Sequence, residues 1–174
     1  ASFTFQNTVI EKIVSLNWNG SGASLFANCT ELVSIAGTMT LTTSLNNFLY
    51  RCSKLTTLPT ITVADSVTTA TSAFVMNNVL GYTNIASIIN KCKKVTTFAN
   101  ACQCTKFADN QTIDLDNLFS GNTSVQNIGY MFTVAAFGNQ ALTSTRNTFI
   151  LTGKLPTSLT TAVNTFYGVT SMSI

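Results

Sequence analysis

The stretch Leu25-Phe26-Ala27-Asn28-Cys29-Thr30-Glu31-Leu32-Val33-Ser34-Ile35 sets the reading of this chain. An apolar pair is followed by a small residue three positions on, then by apolar residues at further three-residue steps. The same order returns in FLYRCSKLTTL (48–58), with Leu49, Cys52, Leu55 and Leu58. It returns again in LFSGNTSVQNI (118–128), with Phe119, Asn122, Val125 and Ile128, and in TFYGVTSM (165–172), with Phe166, Val169 and Met172. A second half-pattern leads into two of the anchors, LPTITVADSVTTATSAF (58–74) and LPTSLTTAVNTF (155–166). The anchors Phe26, Leu49, Phe74, Phe119 and Phe166 lie 23, 25, 45 and 47 residues apart, and the last two intervals are close to twice the first two.

A unit of about 23 residues, with degenerate copies near residues 97 and 142, is the simplest reading. So short a unit cannot bury its apolar face alone, whereas stacked neighbours bury a continuous core. The expected fold is a β-rich α/β repeat, a leucine-rich-repeat-like solenoid of about seven coils. It forms one domain over residues 1–174, with 1–24 as an irregular N-terminal strand or first coil and 25–174 as repeats. Its core is expected to hold Phe26, Cys29, Leu32, Leu49, Cys52, Leu55, Phe74, Phe119, Asn122, Val125, Phe166, Val169 and Met172. In the small position a thiol packs as a small hydrophobe. An Asn there can satisfy loop backbone that would otherwise be buried unpaired.

These residues resemble the BspA-type leucine-rich repeats of bacterial and protist surface proteins, whose unit reads roughly I-P-x-x-V-T-x-I-x-x-x-A-F-x-x-C-x-x-L-x-x-I. LPTSLTTAVNTFYGVTSMSI (155–174) follows almost the whole unit, and LFANCTELVSI and FLYRCSKLTTL follow its second half. Gly and charged positions of the family are Thr and Asn here, and the middle copies drift. The resemblance implies a right-handed solenoid with a parallel sheet on one face of the coil, a role in adhesion or binding, and no catalytic residues.

Composition narrows the function classes. Only 9% of the 174 residues are charged while 45% are hydrophobic, against about 25% charged in a typical domain. Disorder requires the reverse balance. Thr, Ser and Asn interrupt every apolar run well short of the roughly 18 residues of a membrane span. A net charge of +3, with lysines gathered only at Lys91, Lys93 and Lys94, offers no basic stripe for nucleic acid. No cofactor is implied.

The chemistry-bearing residues have plainer readings. Asp114 and Asp116 stand two apart and could do acid–base work, but a solvated strand edge suffices. Cys92, Cys102 and Cys104 lack the activating His that a thiolate nucleophile needs, since the chain has none. The five cysteines match no zinc spacing. Asn19-Gly20-Ser21-Gly22 reads as a turn and not a phosphate loop. Among four Asn-x-Ser/Thr sequons, Asn19 and Asn110 are the better glycan acceptors, because Asn28 and Asn122 fall at or beside core positions. Tyr50, Tyr130 and Tyr167 could line one ridge, and Trp18 could plug the first coil.

The chain starts at Ala1 without a secretory leader and stops inside a copy. It is therefore read either as a fragment of a longer repeat protein or as a subunit whose uncapped ends, marked by Phe3, Phe5, Met172 and Ile174, pair head to tail. The expected function is a non-enzymatic structural and binding protein of an extracellular surface, filament or virion that forms a homo-oligomer or polymer. The alternative is a monomeric adhesion or receptor-binding module for a host protein or glycan.

Overall fold

A computed structural model describes residues 4–108, 110–134, 148–169 and 171–173. In chain order the elements are β1 (Lys12–Gly20), β2 (Ser34–Leu41), β3 (Thr60–Val63), α1 (Tyr82–Lys91), β4 (Gln111–Asp114), α2 (Leu115–Leu118), β5 (Thr148–Thr152) and β6 (Ser171–Ser173). They form two three-stranded parallel sheets, ordered β1-β2-β3 and β4-β5-β6.

In β2 the two-residue period puts Ile35, Met39 and Leu41 into the core. β1 pairs with it in parallel from Lys12 opposite Ser34 to Gly20 opposite Leu41, with a register slip between Ile13 and Leu16. Gly37 makes that slip possible. Its φ is 113°, and a Cβ there would lie 2.1 Å from the Leu16 carbonyl oxygen. Only glycine admits both the backbone angle and the close approach.

Between the strands run short irregular strips. In the segment 22–32, N–H groups donate three residues back, from Leu25 to Gly22, Ala27 to Ser24, Cys29 to Phe26 and Leu32 to Cys29. This succession of turns gives the three-residue step of the sequence a structural cause, and Phe26, Cys29, Leu32 and Ile35 are all buried. The alternate N–H groups of each strip donate sideways to the next. Phe5 donates to Leu25, Phe26 to Phe48, Leu49 to Ala73, Phe74 to Ala101, Cys102 to Met131 and Phe132 to Thr165. Making each strip turn puts non-glycine residues into the left-handed region, among them Asn28, Asn47, Arg51, Ser72, Met76, Asn100, Cys104, Tyr130 and Asn164. That conformation costs roughly 1–2 kcal/mol per residue, least for Asn.

The buried side chains form one continuous cluster from Ile13 to Phe149. Rings stack along it: Phe5 on Phe26 with centroids 5.3 Å apart, and Phe132 on Phe166 at 5.5 Å. Leu49, Cys52, Leu55, Phe74, Phe119, Asn122 and Val125 are buried as well. Phe166 and Val169 are partly buried. The side chain of Met172 lies outside the described residues, although its backbone belongs to β6.

The expected solenoid of about seven coils, with its repeat of constant length, is not formed. Among the described residues the chain has two helices and two separate small parallel sheets. The reason is visible in the chain length between hydrogen-bonded neighbours, which grows from 22 residues (Phe26 to Phe48) through 27 (Phe74 to Ala101) to 33 (Phe132 to Thr165). The surplus is taken up in part by α1, whose Ile85, Ile88 and Ile89 recur at helical spacing and are buried. The intervals of 45 and 47 were therefore not doubled units of 23. Phe98 and Phe132 occupy the core between the anchors, and the ring of Phe98 meets that of Phe119 at 5.8 Å. Position 97 belongs to an isolated parallel bridge with Thr69 and Asn127, and position 142 lies outside the described residues.

Gly37→Ala and Gly81→Ala separate the two demands on glycine. Both positions have positive φ, but nothing lies within 4 Å of a Cβ at Gly81. Thermal unfolding is expected to show a loss of about 1 kcal/mol for Gly81→Ala and about 3 kcal/mol or more for Gly37→Ala. Equal losses would refute the role given to the close approach to Leu16.

Candidate assembly edges

The groups that could carry catalysis are held in structural work. Asp114 accepts a hydrogen bond from the Asn117 N–H at 3.1 Å and caps α2. Asp116 accepts from the Lys154 N–H at 3.1 Å and fixes the turn at Gly153. The two carboxylates serve different contacts and make no shared site. Among the described residues no group of three or more His, Cys, Asp or Glu side chains could hold a metal.

Four of the five cysteines are buried and Cys104 is half-buried. Burial pushes the thiols of Cys52 and Cys92 up to about 12, and it raises those of Cys102 and Cys104 as well. The thiols act instead as hydrogen-bond donors. Cys29 Sγ donates to the Phe5 carbonyl and Cys52 Sγ to the Phe26 carbonyl, each at 3.0 Å. Further along the same interior, Asn77 Nδ2 donates to Leu49 O at 2.8 Å and Thr105 Oγ1 to Phe74 O at 2.5 Å. Asn122 Nδ2 spans Cys92 O at 2.6 Å and Val95 O at 2.9 Å. A glycan on Asn122 would take one of the two Nδ2 hydrogens, so the two bonds could not both be kept. Asn19 and Asn110 are exposed.

The turn expected at 19–22 is not formed there: Asn19 and Gly20 end β1, opposite Thr40 and Leu41, and just beyond the strand Gly22 N–H donates to Ser44 O at 2.9 Å. Trp18 lies over Gly20, its ring 3.3 Å from where a Cβ would stand, and is half-buried. Tyr50 and Tyr130 are half-buried while Tyr167 is exposed, so the three tyrosines do not form one exposed ridge. No described helix is long and apolar enough to cross a membrane.

What is left open is the edge of the ladder. In the strip 161–168 the carbonyls of Thr161, Val163, Thr165 and Tyr167 accept from Ile128, Tyr130, Phe132 and Val134. The intervening N–H groups of Phe166 and Gly168 make no hydrogen bond among the described residues. At the other edge Phe5 and Asn7 spend their N–H groups on Leu25 and Ala27, and the carbonyls of Thr4 and Gln6 accept none among the described residues. One edge thus presents donors and the other acceptors, at matching two-residue spacing. Apolar side chains stand exposed beside both, Val9 at 83% on one and Val163 and Tyr167 at 57% on the other. Of the four residues expected to mark assembly ends, Phe5 sits on the acceptor edge with its ring stacked on Phe26. Phe3 and Ile174 lie outside the described residues, and Met172 contributes described backbone only. Thr4, Gln6 and Gly168 escaped the sequence reading because nothing in their side chains records which way a backbone N–H or C=O faces.

Ellman's reagent is expected to titrate Cys104 ahead of the four buried thiols, and all five once denaturant is added. The raised thiols, and Tyr82, which burial also lifts to about 12, keep their protons in the folded state longer than in the unfolded one. Melting temperature should therefore fall as pH rises through roughly 9 to 12, and a rise over that window would contradict the assignment. No protein-family model, curated protein or solved structure matches this chain.

Proposed function

We propose that this chain is a non-enzymatic structural protein of an extracellular surface, filament or virion, and that it self-associates head to tail. The observation that carries the reading is the complementarity of the two edges. Continuing the ladder register, in which Phe26 stands next to Phe5 and Phe166 next to Phe132, sets Phe166 of one copy beside Phe5 of another. Phe166 N–H then donates to the Thr4 carbonyl and Gly168 N–H to the Gln6 carbonyl of that copy. The ring of Phe5 meets Phe166 as it meets Phe26 within one chain. Because the two patches differ, the contact is heterologous and builds an open filament or a closed ring. Low charge suits a protein whose surface is largely covered by its own copies.

Negative-stain electron microscopy and light scattering across a concentration series test this. Particles are expected to lengthen or close into rings as concentration rises. The double variant Thr4→Lys/Gln6→Lys puts charge on two exposed edge positions. It should leave the unfolding free energy within about 0.5 kcal/mol of wild type and abolish assembly. A monodisperse wild-type monomer throughout, or assembly indifferent to the two lysines, would sink the proposal.

A further inference from the structure

The first sheet has an outer face as well as an inner one. In the paired register Asn17, Thr38 and Thr60 stand side by side, and so do Asn19, Thr40 and Thr62. The row between them, Trp18, Met39 and Ile61, packs on the core. The alternation N-W-N, T-M-T and T-I-T therefore turns a grid of short polar side chains outward, three strands wide and two rows deep. Thr40, at the centre of its row, is half-buried, and the other five are exposed. The register slip of β1 falls before Leu16, so the grid itself is unbroken.

Three features bear on what the grid meets. First, its side chains are free. Among the described residues they make a single hydrogen bond, from Thr38 Oγ1 to Asn17 Oδ1 at 3.5 Å. Threonines outside the sheet are used differently: Thr56, Thr96 and Thr160 donate from Oγ1 to the carbonyls of Val33, Thr68 and Gln126. Second, the grid is regular and stiff. Neighbours repeat at about 4.8 Å across the strands and about 6.6 Å along them, and a β-branched threonine has little freedom at χ1. These two repeats approximate the spacing of oxygens on a prism face of ice. Third, the six residues carry no charge, no aromatic ring and no large aliphatic side chain. A charged ligand finds no partner there, a sugar ring nothing to stack on, and a protein no apolar anchor. What the grid offers is hydroxyls and amides that both donate and accept, as water in a lattice does.

We infer that the outer face of β1, β2 and β3 binds the surface of an ice crystal. Water bound to the free hydroxyls and amides takes lattice positions, and the threonine methyls fill the space between. Adsorbed molecules pin the growing front, which bulges between them. A curved front freezes at a lower temperature, so growth slows. The face is separate from the strips at 4–8 and 161–168 that carry the proposed self-association, so neither reading depends on the other.

Uptake of the purified chain into a slowly grown single ice crystal, with serum albumin as the excluded control, is the first test. Inhibition of ice recrystallisation is the second. The chain is expected to enter the ice and to keep the grains small. Thr38→Tyr keeps a strand-forming residue but raises a ring above the middle of the grid. Thr62→Lys puts a hydrated charge on its rim. Each should melt close to wild type and lose recrystallisation activity by about ten-fold or more. Thr157→Tyr, at an exposed position outside the sheet, should keep it. Exclusion of the wild-type chain from ice, or full activity in either folded grid variant, would overturn the inference.

Discussion

The structure rests on a backbone ladder that runs one way. Every strip spends alternate N–H groups on the carbonyls of the strip that follows it, from Phe5 onto Leu25 to Phe132 onto Thr165. In several strips, such as 22–32 and 45–55, the other N–H groups turn back on their own strip three residues away. This division leaves little choice about side chains. The turns force left-handed residues at fixed places, and inward-facing carbonyls need donors that fit inside. The paired edges of the ladder at 4–8 and 161–168 follow from the same rule.

The interior shows how that constraint is met with few charges. A carbonyl facing the core is costly if left unpaired. Small donors from a later strip reach each one: Cys29 and Cys52 through sulfur, Asn77 and Asn122 through amides, Thr105 through its hydroxyl. Chemically different side chains do one task because each is short, donates a hydrogen and fits among phenylalanine rings. Cys29 and Cys52 are thus donors to backbone and not partners of one another.

Much of the core was legible in the sequence. The three-residue step picked out Phe26, Cys29, Leu32, Leu49, Cys52 and Leu55 because consecutive turns put those positions inside. The overall architecture was not legible, because the step says nothing about how much chain separates two strips. A helix such as α1 can be added between strips without disturbing the step, so Phe132 was hidden behind an interval that looked like a doubled unit. The edges were illegible for a different reason. They depend on which way a backbone N–H or C=O faces, which no side chain records.

The one-way ladder has an electrical consequence. The peptide unit joining Leu25 to Phe26 points its N–H toward one edge and its C=O toward the other, and so do its counterparts in the later strips. Their dipoles, about 3.5 D each, add along the direction in which the strips succeed one another, as they do along a helix axis. The strip at 161–168 is therefore an electropositive terminus and the strip at 4–8 an electronegative one, although neither carries a net charge in its side chains. Two copies approaching each other would be oriented before they touch, and the effect would weaken as dissolved salt screens it.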